Sequence, residues 1–142
     1  MPTARPLLKL AAGVVGLAVS ACYPALKPVQ PRIALSVTDT RGVPIEGAAF
    51  TLATSKQPLA SPSNVVRETY RTDAAGRLAL PRKRKWVWQI VLPDGSTWYT
   101  WQYCVEKEGY KARAEIQPQF NEPIAIVLED AAGRSTCVWP AA

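Results

Sequence analysis

Apolar and polar residues alternate with a period of two along most of the chain. Ile33, Leu35 and Val37 alternate with smaller or polar residues, which is typical of a strand with one buried face. Similar runs cover residues 48–52, 66–72, 78–80, 86–92, 98–105, 110–116 and 123–129. After residue 22, no segment of about ten residues keeps the 3.6-residue period of a helix. The pattern therefore predicts an all-β chain.

Turn residues separate these runs in a repeated form, D-x-x-G. The form begins at Asp39, Asp73 and Asp130. Asp accepts a hydrogen bond from its own backbone two residues on, and Gly tolerates a positive φ. Strands of about five to eight residues between such turns predict an antiparallel β-sandwich of about seven or eight strands. Residues 54–65, which are polar and contain two prolines, are predicted to form the longest loop.

An aromatic hairpin is predicted where Pro93-Asp94-Gly95 separates residues 86–92 from residues 98–105. This segment holds Trp86, Trp88, Trp98 and Trp101. The register stays open, because a three-residue loop pairs Ile90 with Trp98, whereas a four-residue loop pairs Trp88 with Trp101. Exposed rings here would stack on sugars or anchor a protein partner; alternatively, they belong to the core and its edge.

The N-terminal segment has a different composition. It carries Arg5 and Lys9 without an acid, followed by apolar residues 10–19, a run shorter than the roughly 20 residues of a membrane-spanning helix. This pattern predicts a secretory signal peptide over residues 1–21. Its loss would leave 15 basic and 11 acidic residues, a charge of +4 in place of +6.

Val19-Ser20-Ala21-Cys22, at the end of this run, resembles the bacterial lipobox. The resemblance implies cleavage before Cys22 and acylation of its thiol and of the new amino group. Palmitate is among the acyl groups it implies. Tyr23 in place of Asp implies sorting to the outer membrane, facing the periplasm. An ordinary signal peptide followed by a chance cysteine is the alternative. Residues 22–32 contain three prolines and are predicted to form an extended tether without folded structure.

The two other cysteines, Cys104 and Cys137, are expected to form a disulfide, because an exported domain folds in an oxidising compartment. A bond closing this loop stabilises a domain by roughly 3–4 kcal/mol in the chain-entropy model. The alternative is a reactive thiol, which would lack an imidazole to activate it.

Histidine is absent from the chain. This absence excludes Ser-His-Asp triads, Cys-His dyads and His-ligated zinc or haem. The acidic residues form no calcium-binding loop, and neither a phosphate loop nor zinc-ligand spacing is present. We therefore expect no catalytic residue, metal site or cofactor. A histidine-free hydrolase that uses two carboxylates is the remaining enzymatic alternative.

A run of four bases precedes the first tryptophan of the aromatic segment: Arg82, Lys83, Arg84 and Lys85. Nucleic acid is not expected as a partner of an exported, anchored chain. An anionic lipid surface or an acidic partner fits better. The alternative is a solvated run that protects an edge strand from unwanted pairing.

Several segments resemble carboxypeptidase regulatory-like domains. Residues 37–50 resemble the family's opening V-x-D-x-x-G-x-P-I-x-G-A-x-V, and residues 72–78 resemble its T-D-x-x-G turn. Gly109-Tyr110 resembles its G-Y element, and residues 124–128 its closing strand. The resemblance implies a transthyretin-like, or prealbumin-like, β-sandwich over residues 33–142 without catalytic machinery. The chain departs from the family in its longer segment between the T-D-x-x-G turn and the G-Y element.

Together these features predict a non-catalytic, lipid-anchored protein of the cell envelope that binds or scaffolds. Its expected partners are the membrane, through the anchor, and envelope proteins or cell-wall glycan. One alternative is a component of a secretion or envelope assembly, since the lipoproteins of type VI secretion systems also carry a transthyretin-like sandwich. Another is a glycan-binding module that uses the aromatic hairpin.

Overall fold

The alternating segments form nine β-strands in the described part of the chain. The computed structural model describes residues 22–57, 64–90, 97–116, 118–133 and 135–139, so the predicted signal peptide and the Pro93-Asp94-Gly95 turn lie outside it. The strands are β1 (Cys22–Gln30), β2 (Ile33–Asp39), β3 (Ala49–Gln57), β4 (Val65–Arg71), β5 (Arg77–Leu80), β6 (Lys83–Ile90), β7 (Trp98–Glu106), β8 (Arg113–Ile116) and β9 (Ile124–Leu128). Each segment predicted from the alternation overlaps one of β2–β9. Residues 54–57, predicted to belong to a loop, extend β3 instead.

Two of the sheets enclose the core. One has the strand order β5-β2-β9, and the other has the order β4-β3-β7-β8. Their apolar side chains form one cluster of Ile33, Leu35, Val37, Ile45, Ala48, Phe50, Leu52, Leu80, Tyr103, Val105, Ile126 and Leu128. The prediction of an all-β sandwich is confirmed.

Strand β2 shows how the sequence pattern produces this core. Ile33, Leu35 and Val37 are buried, whereas the residues between them are only half-buried. Opposite β2, the rings of Phe50 and Tyr103 stack with their centroids 5.3 Å apart. The period of two therefore places alternate side chains in the core.

One strand pair departs from the antiparallel prediction. β9 lies beside β2 in parallel, with Leu35 opposite Ile124 and Asp39 opposite Leu128. The other strand pairs among the described residues are antiparallel. The short final strand therefore completes the smaller core sheet by lying beside a strand from the beginning of the domain.

A third, two-stranded sheet consists of β1 and β6, which we call the β1–β6 ribbon. It continues the β2–β5 pair, since Ile33 lies opposite Leu80 and, further along, Gln30 lies opposite Lys83 and Cys22 opposite Ile90. The predicted hairpin between residues 86–92 and 98–105 is therefore wrong, because β6 pairs with β1 and β7 pairs with β3 and β8.

The prolines of residues 22–30 are compatible with this strand. The sequence predicts an unpaired tether for residues 22–32, but the segment forms β1, with Pro24 and Pro28 opposite Trp88 and Arg84. Proline lacks a backbone donor and is tolerated where a strand has a free edge. Each strand of a two-stranded ribbon has such an edge, so the prolines do not prevent pairing.

The first two D-x-x-G segments form the turns that the sequence predicts. At the first, Asp39 Oδ1 accepts the backbone N–H groups of Arg41 and Val43, each at 2.8 Å. At the second, Asp73 Oδ1 accepts those of Ala75 at 2.9 Å and Arg77 at 2.8 Å. The closing glycines of all three segments have positive φ values. These aspartates therefore hold turns.

Candidate functional site

One face of the β1–β6 ribbon is apolar and exposed, and we call it the outer ribbon face. Alternation places Cys22, Pro24 and Leu26 on the same side of β1. In the register of the ribbon, Pro24 lies opposite Trp88 and Leu26 opposite Trp86. Directly opposed residues of an antiparallel pair share a face. The predicted lipidation site and two of the predicted binding residues therefore lie on one surface.

The tryptophan side chains of this face are highly exposed to solvent. Trp86 is 66% exposed and Trp88 is 72% exposed. Leu26 beside them is exposed as well. Single exposed apolar residues are ordinary, but a contiguous group of large apolar side chains is typical of an interaction surface. The outer ribbon face is therefore the strongest candidate site among the described residues.

The opposite face of the ribbon packs against the sandwich. Ala25, Lys27 and Val87 are half-buried there. The Trp101 Nε1–H group on β7 donates a hydrogen bond to the Val29 carbonyl at 3.2 Å, which joins the ribbon to the larger sheet. Gln89 on this inner face is 2% exposed, and its Nε2 atom finds no hydrogen-bond partner within the described residues. The ribbon therefore has one face packed against the sandwich and one face exposed to solvent.

The four predicted tryptophans do not form one surface. Trp98 and Trp101 lie on β7, opposite Gln57 and Thr54 of β3. Trp101 is half-buried and packs against the core cluster. Trp98 is exposed at the start of β7. The structure therefore separates Trp86 and Trp88, which share the outer ribbon face, from the other two.

The four predicted bases are divided by the strand alternation as well. Arg84 lies opposite Pro28 and continues the outer ribbon face beyond Trp86. Arg82 is exposed just before β6. Lys83 and Lys85 project to the inner side, where they line a groove between the ribbon and the larger sheet. The bases thus belong to two surfaces.

The groove on the inner side has a volume of about 420 Å³. It is lined by Val29, Gln30, Thr54, Lys56, Asn64, Val66, Glu68, Lys83, Lys85 and Tyr99. Lys83 Nζ lies 3.3 Å from Glu68 Oε2, and the Tyr70 hydroxyl donates to the same carboxylate oxygen at 2.7 Å. The Tyr70 hydrogen bond, together with Lys83, lowers the pKa of Glu68. This carboxylate offsets part of the positive charge of the groove.

The other acidic groups whose pKa is shifted serve the fold. The hydrogen bond from the Val43 backbone, assisted by Arg41, lowers the pKa of Asp39. The Tyr103 hydroxyl in the core donates to Glu115 Oε2 at 2.6 Å. Burial, with this hydrogen bond, raises the pKa of Tyr103. Both carboxylates are therefore engaged by hydrogen bonds within the fold, Asp39 in its turn and Glu115 with Tyr103.

Cys104 and Cys137 form the predicted disulfide, with their Cα atoms 6.1 Å apart. Glu106 lies beside it and accepts the backbone N–H of Cys137 at 2.6 Å. These three residues form a compact group of potential metal ligands. Both sulfurs are consumed by the disulfide, so the thiolates that bind a soft metal are not available.

Cys22 is the remaining cysteine, and it is free and exposed. Exposed and half-buried side chains alternate along β1, and the three residues at its start, Cys22, Tyr23 and Pro24, are all exposed. The predicted acyl acceptor is therefore sterically accessible. The described segments contain no helix that is long and apolar enough to cross a bilayer.

Sequence reasoning missed Pro24 and Leu26 as members of the candidate surface. Both lie in the segment whose prolines predict a tether. Residues 22–26 are apolar throughout and show no alternation of apolar and polar side chains, so the sequence offers no clear signal of a strand there. The pairing of this segment with β6 is what identifies them.

Comparison with known proteins adds little. No protein-family model matches the chain, and no curated protein matches it either. One solved structure with a similar chain path is 3-chlorocatechol 1,2-dioxygenase from Rhodococcus opacus 1CP, at 12% identity and a TM-score of 0.45. The similarity covers 84% of this chain and 78% of that chain. This likeness is too distant to bear on function.

Proposed function

We propose that this chain is a lipid-anchored protein of the cell envelope whose β-sandwich is a non-catalytic binding or scaffolding module. The observation that carries the proposal is the division of the three cysteines. Cys104 and Cys137 are bonded to each other, whereas Cys22 is free and exposed at the start of β1. Cys22 is also the residue that the lipobox-like segment marks for acylation.

The disulfide supports an extracytoplasmic location. Structural disulfides persist in oxidising compartments and are rare in the cytosol. The lipobox-like segment and Tyr23 favour the outer membrane, with the sandwich facing the periplasm. In this location the partners of the module are envelope proteins or cell-wall glycan.

The resemblance to carboxypeptidase regulatory-like domains supports a non-catalytic role. The residues that carry it perform structural tasks here: Asp39 and Asp73 hold turns, and Tyr110 packs against the core cluster. In that family such a sandwich serves as an accessory module. We therefore assign the activity of this protein to binding, not to turnover.

The proposal is tested by the mass of the N-terminal peptide after expression of the full chain in a bacterium that processes lipoproteins. We expect a chain that begins at Cys22, carries acyl groups and sediments with membranes. Cys22→Ser should remove the acyl groups and leave the precursor uncleaved. The matched control, Cys104→Ser with Cys137→Ser, should keep them, because these sulfurs are distant from the processing site in the chain. An unmodified Cys22 in the wild-type chain would refute the proposal.

A further inference from the structure

The outer ribbon face has a chemistry that matches the surface of a lipid bilayer. We propose that this face lies on the membrane in which Cys22 is anchored, so that the ribbon docks the sandwich and fixes its orientation. The inference rests on the proposed lipidation of Cys22. It goes further, because an anchor on a flexible tether would leave the sandwich free to rotate.

The position of Cys22 brings the face to the membrane. Its side chain shares the face with Trp86 and Trp88. At a rise of about 3.4 Å per residue, Trp88 lies roughly 7 Å along the ribbon from Cys22, and Trp86 roughly 14 Å. Acyl chains attached at Cys22 therefore hold both rings within reach of the headgroup region. If the ribbon lies flat, Cys22 and the two rings meet the lipid at the same depth.

The side chains of the face suit the interface between lipid and water. Tryptophan is enriched there, because its ring is apolar and its N–H group still finds a hydrogen-bond partner. Leu26 and Pro24, which lie opposite the two rings, add apolar surface without a polar group to bury. Insertion to the depth of the headgroups would remove this exposed apolar surface from water.

Charge along the face is complementary to lipid phosphates. The residues of the face from Cys22 to Pro28 and from Arg84 to Trp88 include no acid. Arg84 follows the rings at the end away from Cys22, and Arg82 is exposed beyond it. Arginine binds phosphate through several N–H groups, and basic residues are attracted to an anionic leaflet. Apolar contact near the anchor and phosphate contact further along fit one flat docking surface.

A glycan is the competing occupant, because adjacent tryptophans also stack on sugar rings. The lipid is favoured because Cys22 lies on the same face as the two rings. A glycan would need this face turned away from the bilayer, whereas the acyl chains pull it towards the bilayer.

The test uses quenching of tryptophan emission by brominated acyl chains. Lipidated full-chain product, purified from membranes, is reconstituted into vesicles of phosphatidylcholine and phosphatidylglycerol with brominated or ordinary chains. The emission of the double variant Trp86→Phe/Trp88→Phe is compared with that of Trp98→Phe/Trp139→Phe, which replaces the same number of tryptophans elsewhere. Phenylalanine keeps both variants apolar, and thermal unfolding checks that each stays folded.

We expect brominated lipid to quench the wild type and the Trp98/Trp139 variant, and the Trp86/Trp88 variant to lose most of this quenching. Equal quenching of both variants would overturn the proposal, since the quenched rings would then lie elsewhere. An unquenched wild type would also overturn it. If soluble cell-wall fragments then changed the emission only when Trp86 and Trp88 were present, the face would be assigned to a glycan.

Failure of lipidation is distinguishable from failure of docking. Mass spectrometry of the same sample shows whether Cys22 carries acyl groups. If it does not, the free Cys22 thiol of the full chain is coupled to a maleimide-bearing lipid in the same vesicles. Quenching that depends on Trp86 and Trp88 in this coupled sample would support the docking proposal. Absence of such quenching would overturn the proposal.

Discussion

At the scale of single residues, the turns of this sandwich depend on glycines whose surroundings differ. Gly76 has a φ of +68° and is buried, and its carbonyl accepts the backbone N–H of Val37 at 2.7 Å. A Cβ atom at Gly76 would meet the Val37 carbonyl and the Ile45 backbone nitrogen. Gly42, the corresponding residue of the first D-x-x-G turn, has a φ of +82° but open space around it.

These surroundings predict different costs for the same substitution. We expect Gly76→Ala to lower the free energy of unfolding by about 2–4 kcal/mol, because backbone strain is joined by a clash with main-chain atoms. Gly42→Ala should lower the free energy of unfolding by only about 1 kcal/mol, since the substitution introduces backbone strain without a clash. Urea unfolding of the two variants measures both values. Equal losses would show that the close approach at Gly76 does not matter.

At the scale of elements, the contact between the β1–β6 ribbon and β7 decides how firmly the ribbon is held. The Trp101 side chain forms this contact, because it packs against the core cluster and donates its Nε1–H to the Val29 carbonyl. A second tie lies at the root of the ribbon, where Gln30 Nε2 donates to the Pro81 carbonyl at 2.9 Å. The inner face thus fixes the direction in which the outer face points.

Trp101→Phe tests this contact. We expect a loss of about 1 kcal/mol in the free energy of unfolding, from the lost hydrogen bond and part of the ring. Amide hydrogen exchange should accelerate in β1 and β6 more than in β2 and β3. Trp98→Phe, on the same strand but exposed, provides the control and should change neither quantity. Uniform acceleration over all strands would mean that Trp101 stabilises the core and not the ribbon in particular.

The strands were predictable from the sequence, but their partners were not. Alternation in residues such as Ile33, Leu35 and Val37 reports burial of one face, which is a local property. The Pro93-Asp94-Gly95 signal is also local, and it suggested that β6 pairs with the next strand. The observed partner of β6 is β1, whose prolines resemble those of a linker. Local signals therefore identified the elements and their turns, whereas pairing depends on contacts between distant segments.

The candidate site was predictable only in part, for the same reason. Cys22 stands out by its preceding sequence, and Trp86 and Trp88 stand out by their composition. Their presence on one face follows from the register of β1 on β6, which the sequence does not encode locally. The burial of Trp101 and the division of the four bases also follow from strand pairing.

At the scale of the whole molecule, the Cys104–Cys137 disulfide ties β7, a central strand of the larger sheet, to the C-terminal segment. Replacing both residues by alanine should lower the free energy of unfolding by about 3–4 kcal/mol, mainly because the unfolded chain regains freedom. Urea unfolding checks this value. Cys22→Ser should leave it within about 0.5 kcal/mol, since Cys22 is exposed and unbonded. A loss below about 1 kcal/mol in the alanine variant would assign the disulfide a minor role.

The parallel placement of β9 beside β2 has a consequence for the order in which the molecule can assemble. Ile126 and Leu128 of β9 are buried in the core, yet β2 precedes them by almost the whole domain. The core therefore stays incomplete while the chain is being synthesised, until its last strand has emerged. Contacts between such distant segments form slowly. A chain that closes late stays unfolded for longer, and the export proposed above requires this state, in which a polypeptide can be threaded through a narrow channel.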